Sequence, residues 1–305
     1  MELVPVLLRQ LTVMAIYMAV GYFLFKKKFV SVQGCKELGS LLLYVILPCA
    51  IVNSYRVERT PERTRALLWS TLVSLGALIL SMAVCGVLFR KKKVERFGVS
   101  FSNAGFIGIP LVTSVLGAES VIYISSFVAL LNIFQWTYGV VVMTDSLDSV
   151  RPRQLARNPI LIAILIGLVL FFFQPPLPGA AVGALSALAA MNGPVAMLIL
   201  GIYLAQVELK SVFSDGILYA SAGVRLLLIP ALTALCLLLL PLDGTLCLAI
   251  LIAASAPIGS NVAIFAQIHR QDYSLAVREV CLSTILCVVT IPLLIAGYSL
   301  LANML

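Results

Sequence analysis

The sequence has few charged residues for its length. Only 11% of its 305 residues are charged, whereas 61% are hydrophobic. A soluble domain has about 25% charged and about 45–50% apolar residues. So few charges cannot cover a water-exposed surface on a chain of this size. The composition therefore excludes an ordinary soluble protein and favours a surface that faces lipid.

Histidine and several chemical motifs are scarce or absent. His269 is the only histidine, and the sequence has no H-E-x-x-H motif and no C-x-x-C pair. The seven cysteines lie mostly inside apolar runs, where they are expected to act as small hydrophobic side chains. No pair of acidic residues lies inside an apolar run. These absences predict a protein that is not an enzyme and that needs no metal or other cofactor.

The apolar residues come in ten runs of roughly the length of a membrane helix. About 20 helical residues cross the roughly 30 Å of hydrocarbon in a bilayer. Helices are expected because an open strand in lipid would leave backbone groups unpaired. The sequence therefore predicts an all-α integral membrane fold of ten transmembrane helices. The predicted spans are residues 4–25, 36–55, 66–89, 97–117, 119–143, 159–174, 180–206, 213–240, 245–268 and 275–303.

Basic residues are distributed unevenly among the predicted loops. Fifteen follow the odd-numbered spans and four follow the even-numbered ones. Since basic loops stay in the cytoplasm, we predict a multi-pass protein of the cytoplasmic membrane with both termini extracytoplasmic. Lys26, Lys27 and Lys28 follow the first apolar run instead of preceding it, so no cleaved signal peptide is expected. The short basic clusters do not form a continuous surface, so we expect the lipid bilayer and no nucleic acid as partner.

Two pairs of prolines recur at nearly the same spacing. Pro48 and Pro194 are 146 residues apart, and Pro110 and Pro257 are 147 residues apart. The spacing predicts two five-helix repeats, residues 1–150 and residues 151–305. Because five is odd, the second repeat would be inverted relative to the first, as is common in secondary transporters. The alternative is that prolines in membrane helices match by chance.

Spans four and nine carry helix-breaking residues near their middle. Proline removes a backbone donor, and glycine permits unwound backbone. A broken helix has a new N-terminus with unpaired N–H groups and partial positive charge, and two such ends facing each other would attract a carboxylate. Simple proline kinks are the alternative. The candidate substrate-binding residues in these spans are Asn103, Gly105, Gly108, Pro110, Pro257, Ser260 and Asn261.

Other polar residues inside the apolar runs are candidates as well. Asn132 and Gln135 share one face of span five and either line the site or bond neighbouring helices. Asn53 ends span two and is a candidate for the entrance to the site. Arg225 lies half-way along span eight, where an isolated charge is costly. It is a counter-charge for the substrate, a member of an ion pair, or a side chain that reaches the interface. The candidate ion-pair partners are Glu208, Asp215, Asp272 and Glu279.

The stretch N-A-G-F-I-G-I-P-L, which begins at Asn103, resembles the fourth-helix motif of the auxin efflux carrier family of PIN-like carriers. Similar motifs follow in order along nearly the whole chain, which looks like a short bacterial-type member. They include Asn158-Pro159, Gly193-Pro194-Val195-Ala196-Met197, Ala256-Pro257 with Asn261, and Thr290-Ile291-Pro292.

The resemblance implies a scaffold domain and a transport domain whose fourth and ninth helices cross at their breaks. It implies a secondary transporter that moves a small organic anion, such as a dicarboxylate or an auxin-like acid, by an elevator-type mechanism. A homodimer through the scaffold domain is one expected assembly. A sodium- or proton-coupled symporter and a channel are the alternatives. Ser125, Ser126 and Gln267 are candidate sodium ligands.

Overall fold

The computed structural model describes residues 3–302 and Met304. Met1 and Leu305, the two ends of the chain, lie outside the described residues. The prediction that both termini are extracytoplasmic falls on these residues. Within the described part the chain is helical apart from connecting turns, which confirms the all-α prediction. Its helices of eight residues or more are α1 (Leu3–Lys26), α2 (Val32–Ser54), α3 (Pro61–Leu88), α4 (Lys93–Ser100), α5 (Ala104–Leu116), α6 (Ala118–Thr144), α7 (Pro159–Phe173), α8 (Gly179–Gln206), α9 (Gly216–Leu238), α10 (Gly244–Ser255), α11 (Asn261–Ile268) and α12 (Tyr273–Ala302).

Seven of the helices in the described part are long and apolar enough to cross a membrane, namely α1, α2, α3, α6, α8, α9 and α12. The chain is therefore a multi-pass membrane protein. Predicted span six is α7, a shorter apolar helix of 15 residues. Predicted spans four and nine are each interrupted, into α4 and α5 and into α10 and α11. The count of ten crossings stays a prediction.

Polar caps begin several helices where the sequence changes from polar to apolar. The Thr60 side chain accepts a hydrogen bond from the Arg63 N–H at the start of α3. The Asn158 side chain accepts from the N–H groups of Ile160 and Leu161 at the start of α7. Proline follows both caps at the first helical position, where its missing donor costs nothing.

Three prolines inside the helices follow a widened turn and do not end the helix. A π turn ends two residues before Pro48, Pro110 and Pro230, at Leu42–Ile46, Ala104–Gly108 and Val224–Leu228. A wider turn accommodates the ring and the missing N–H of proline. Pro110 therefore lies inside α5, which corrects the expectation that it forms the interruption of span four.

The helices pack in two groups. The first group consists of α1, α2, α7 and α8, and the second contains the four interrupted pieces with α3, α6, α9 and α12. Within the first group α1 lies along α8 at two glycines. A side chain at Gly21 would overlap the Leu198 carbonyl, and one at Gly201 would overlap the Met18 carbonyl. Such close backbone contact is typical of membrane helices that pack through small residues.

Candidate functional site

The two interruptions lie side by side and pair through their backbones. Ser102 and Ile258 form an antiparallel bridge. On either side of it the Asn103 N–H donates to the Pro257 carbonyl at 2.7 Å, and the Gly259 N–H donates to the Phe101 carbonyl at 3.0 Å. The crossing thereby satisfies polar groups that a continuous helix would have paired internally, as apolar surroundings require.

Glycine at position 259 permits this close approach. A Cβ atom there would lie 3.2 Å from the carbonyl oxygens of both Phe101 and Ser102. Such a contact is tighter than nine in ten real Cβ contacts, and both neighbours are backbone atoms. The Ile258 N–H is held by the Ser283 hydroxyl of α12 at 3.1 Å. The crossing is therefore fixed both between the interruptions and against a third helix.

Helices α5 and α11 both begin at the crossing. In α5 the first helical hydrogen bond runs from the Ile107 N–H to the Asn103 carbonyl. In α11 it runs from the Val262 N–H to the Gly259 carbonyl. The N–H groups before these bonds, and the helix dipoles, place partial positive charge at both starts. Fewer N–H groups are available than the sequence suggested, because those of Asn103 and Gly259 pair the two interruptions and that of Ile258 donates to Ser283.

A small cavity of about 30 Å³ lies beside the crossing, which is about the volume of one water molecule. Its lining joins both helix starts to α2 and α6. Six of the predicted site residues line it together: Asn103, Gly105, Asn132, Gln135, Ser260 and Asn261.

The amide groups in this cavity differ in how far their hydrogen bonds are satisfied. Asn261 Nδ2 donates to Gln135 Oε1 at 2.8 Å. Asn132 Nδ2 donates to the Val128 carbonyl of its own helix at 2.8 Å. Asn103 Nδ2 and Gln135 Nε2 are buried and have no acceptor among the described residues. Unpaired buried donors are costly, so the site favours a ligand that supplies acceptors.

A second cavity, of about 300 Å³, leads to the crossing. It shares Leu43, Phe106, Ser260 and Asn261 with the small cavity. The larger cavity, here called the vestibule, lies between α2 and α8 on one side and α5 and α11 on the other. Lys36, an exposed residue, is the only charged residue among the described ones that line either cavity. The volume is at the lower end of the range for small-molecule sites.

Four predicted site residues do not line either cavity. Pro257 contributes its carbonyl to the crossing. Gly108 leaves room for Ile124 of α6, and Pro110 packs against Gly193 of α8. Asn53 lies near the end of α2, where its Oδ1 accepts from Arg56 at 2.8 Å and from Ser186 at 3.2 Å.

Arg225 is buried on all sides, with 1% of its surface exposed. Its Nη1 donates to the Val99 carbonyl at 3.0 Å and to the Ser81 hydroxyl at 3.3 Å, and its Nη2 donates to the Ala254 carbonyl. The ion pairs among the described residues are Arg63–Glu119, Lys93–Asp145 and Arg278–Asp215. Arg225 therefore neither pairs with any of the four predicted acids nor reaches the membrane surface, which corrects both alternatives.

The sequence did not reveal several residues that shape the site. Asn192 Nδ2 donates to the Gly105 carbonyl at 3.1 Å and so ties α8 to the start of α5. Its signal was a polar residue inside an apolar run, two positions before Pro194. Leu43 and Phe106, which line both cavities, gave no signal because apolar residues are expected throughout a membrane helix.

His269 follows α11 and lines a separate cavity with Trp136 and Arg151. Partial burial lowers the pKa of its imidazole below the ordinary value of 6.5. The imidazole is therefore neutral at pH 7 and supplies no standing positive charge.

A family model described as "Membrane transport protein" matches the chain in two stretches, residues 6–153 and 146–295. The two stretches span nearly the whole chain. No curated protein sequence matches it significantly. The resemblance carried by the Asn103 to Pro110 motif is thereby confirmed, and the chain belongs to the membrane transport protein family, the family of the auxin efflux carriers.

Proposed function

We propose that the chain is a carrier that moves a small organic anion across the cytoplasmic membrane by alternating access at the crossing. The observation that carries the proposal is the convergence of two helix starts with unpaired amide donors in one cavity. Asn103 Nδ2 and Gln135 Nε2 are donors without acceptors among the described residues, and no acidic residue among those described lines the cavity.

A carboxylate fits this chemistry. It has two acceptor oxygens and a negative charge, whereas the cavity has donors and the positive ends of two helices. Hydrogen bonds from neutral donors to an ionised group are stronger than those between neutral groups. The exposed ammonium group of Lys36 in the vestibule adds attraction for anions.

The volumes of the two cavities restrict the binding pose. The small cavity accommodates little more than one water molecule, so only part of an anion fits beside the crossing. We propose that the carboxylate binds at the junction of the two cavities and that the rest of the anion lies in the vestibule. The chemical class is a carboxylate or an auxin-like acid of modest size.

The proposal includes the architecture that the sequence predicted. We take α1, α2, α7 and α8 as the scaffold, through which a homodimer would form, and the second helix group as the transport domain. The vestibule lies between the two groups, so an elevator-type displacement of one against the other would move the site. Two family matches of nearly equal length support two repeats, and the prolines at matched spacing support an inverted pair.

Coupling to sodium and conduction through a channel are the competing functions. Two of the predicted sodium ligands are already bonded between helices, Ser125 to Ser54 and Ser126 to Ser70, at 3.2 Å each. The third, Gln267, lines the vestibule. Their arrangement favours packing of α6 against α2 and α3 over a cation site.

The proposal is tested by a stability screen of the purified protein against monocarboxylates and dicarboxylates. A ligand at about 100 times its dissociation constant stabilises the folded state by about 2.7 kcal/mol. The stabilising acids are then tested for uptake into proteoliposomes, where a carrier saturates with substrate concentration and a channel does not. If no carboxylate either stabilises the protein or enters the vesicles, the proposed function is wrong.

A further inference from the structure

Arg225 lies where the C-terminal ends of two interrupted helices meet. Helix α4 ends at Ser100 and α10 ends at Ser255. The guanidinium group donates to Val99 at the end of α4 and to Ala254 at the end of α10, and both acceptors are backbone carbonyls. In each interrupted span, the first helix therefore ends at Arg225 and the second helix begins at the cavity.

Partial charges of opposite sign meet at this place. A helix C-terminus carries about half a negative charge, so two of them amount to about −1. A guanidinium is always protonated and supplies +1. No carboxylate among the described residues forms an ion pair with Arg225. The two helix ends are therefore its counter-charge.

In ion-coupled transporters with interrupted helices, such C-terminal ends and unwound carbonyls coordinate the coupling cation. We propose that Arg225 is a built-in cation that takes the place of this ion, so that transport does not depend on a monovalent metal cation. The inference deepens the proposed function and rests on it. In this role Arg225 is a positioning residue, because it holds α4, α10 and the Ser81 hydroxyl of α3 together without touching the substrate.

The first experiment uses the wild-type protein. Its melting temperature is measured in detergent while sodium chloride replaces choline chloride at constant ionic strength. We expect no stabilisation by sodium, because the guanidinium already occupies the carbonyls. Anion uptake into proteoliposomes should change by less than about twofold between the two salts, a difference of about 0.4 kcal/mol. A saturable rise in melting temperature, or uptake that requires sodium, would overturn the proposal.

The second experiment removes the guanidinium group of Arg225 and then supplies guanidinium from solution. Arg225→Ala leaves the two helix ends without a counter-charge, and we expect a lower melting temperature that millimolar guanidinium chloride restores saturably. Arg225→Lys keeps a cation and should need no added salt. Arg278→Ala is the matched control, since Arg278 pairs with the Asp215 carboxylate at 3.7 Å instead of with helix ends. Guanidinium should not restore stability to this variant.

The two inferences fail in different ways. The melting measurements contain no organic anion, so they hold even if the proposed substrate class is wrong. If Arg225→Ala is as stable as the wild type, or if guanidinium has no effect on it, Arg225 is not a built-in cation. If Arg225→Ala does not fold, the sodium series on the wild type and on Arg225→Lys decides the question, and stabilisation of either by sodium contradicts it.

Discussion

Asn103 and Asn261 both lie at helix starts beside the crossing, but their amides act differently. Asn103 Nδ2 is buried and has no acceptor among the described residues. Asn261 donates to Gln135 Oε1, which fixes the Gln135 amide and leaves its Nε2 group as a donor. We therefore expect Asn103 to contact the anion directly and Asn261 to act partly through Gln135.

Asn103→Ala should weaken anion binding without unfolding the protein. A lost hydrogen bond to a charged group is worth about 1.5–3 kcal/mol, which corresponds to a roughly ten- to hundredfold weaker affinity. Asn261→Ala should have an effect of the same sign, because Gln135 loses its fixed orientation. Titration calorimetry and uptake measure both variants. Gln33→Ala is the control, since its amide bonds Glu37 on the surface of α2. Wild-type affinity in both asparagine variants would contradict this site.

Gly259→Ala should separate the two interruptions. The added Cβ would lie 3.2 Å from two carbonyl oxygens, so the backbone at the bridge between Ser102 and Ile258 must shift by a few tenths of an ångström, which we expect to weaken the bridge. We expect reduced uptake and a lower melting temperature. Gly76→Ala is the matched control, because open space surrounds that position in α3. Equal uptake by the Gly259→Ala and Gly76→Ala variants would show that the close approach is not needed.

Individual residues of the site were predicted from the sequence where a polar side chain lies inside an apolar run. This holds for Asn103, Asn132, Gln135 and Asn261, which the structure brings to one cavity. It does not hold for Phe106 or Leu43, because the face of a membrane helix that lines a cavity has no distinct composition when its residues are apolar. Nor did the sequence reveal the carbonyl partners of Arg225, since backbone acceptors carry no residue signature.

At the level of helices, the apolar part of each helix was predictable, but the ends and the interruptions were not fully so: α3 begins at Pro61, five residues before the predicted span, because its first turn is polar. Asn158-Pro159 marked the start of α7 in the sequence, whereas the Thr60 cap at the start of α3 became visible only in the structure. The run of glycine and proline predicted that spans four and nine are broken. The position of the first break could not be predicted, because the π turn that ends two residues before Pro110 lets α5 continue through this proline, and the chain unwinds at residues 101–103 instead. The position of this break depends on pairing with the second interruption, and the paired residues are about 150 positions apart in the sequence.

The contact of α1 with α8 gives a stability prediction. A Cβ atom at Gly201 would overlap the Met18 carbonyl, so Gly201→Ala should force the helices apart. Overpacking of this kind costs about 1–3 kcal/mol, and the melting temperature in detergent should fall. Gly183→Ala on the same helix is the control, because no atom lies near that position. A melting temperature that is equal in the two variants would contradict the close packing of α1 and α8.

For the whole molecule, the distribution of basic residues predicts the orientation. Reporter fusions at Lys92 and Arg153 should read as cytoplasmic, and a fusion after Leu305 should read as extracytoplasmic, because fifteen of the loop charges follow odd-numbered spans. Substituting the basic cluster at residues 90–93 with glutamine is a useful control, since it should weaken the orientation. A cytoplasmic reading at Leu305 would mean that one of the ten predicted spans does not cross.

The predicted orientation would place the vestibule on the cytoplasmic side. The vestibule reaches Lys36 near the start of α2 and Tyr273 at the start of α12, and both helices follow connections that are predicted to be cytoplasmic. For the proposed carrier this state would be open to the inside, and it would have to close there before it opened outside. A channel would have no such requirement.

Cysteine labelling distinguishes these possibilities. In a variant whose native cysteines are replaced and which still transports, Ser40→Cys places a thiol in the vestibule. A membrane-impermeant maleimide should react with it from the cytoplasmic side, and a saturating stabilising carboxylate should slow the reaction. Ser214→Cys is the control, because it lies exposed in the connection between α8 and α9 and should react at the same rate with or without the anion. Reaction of Ser40→Cys from the external side alone would reverse the predicted orientation. Reaction that no transported anion slows would place the vestibule outside the transport path, because an anion bound at the crossing must occupy or close that cavity.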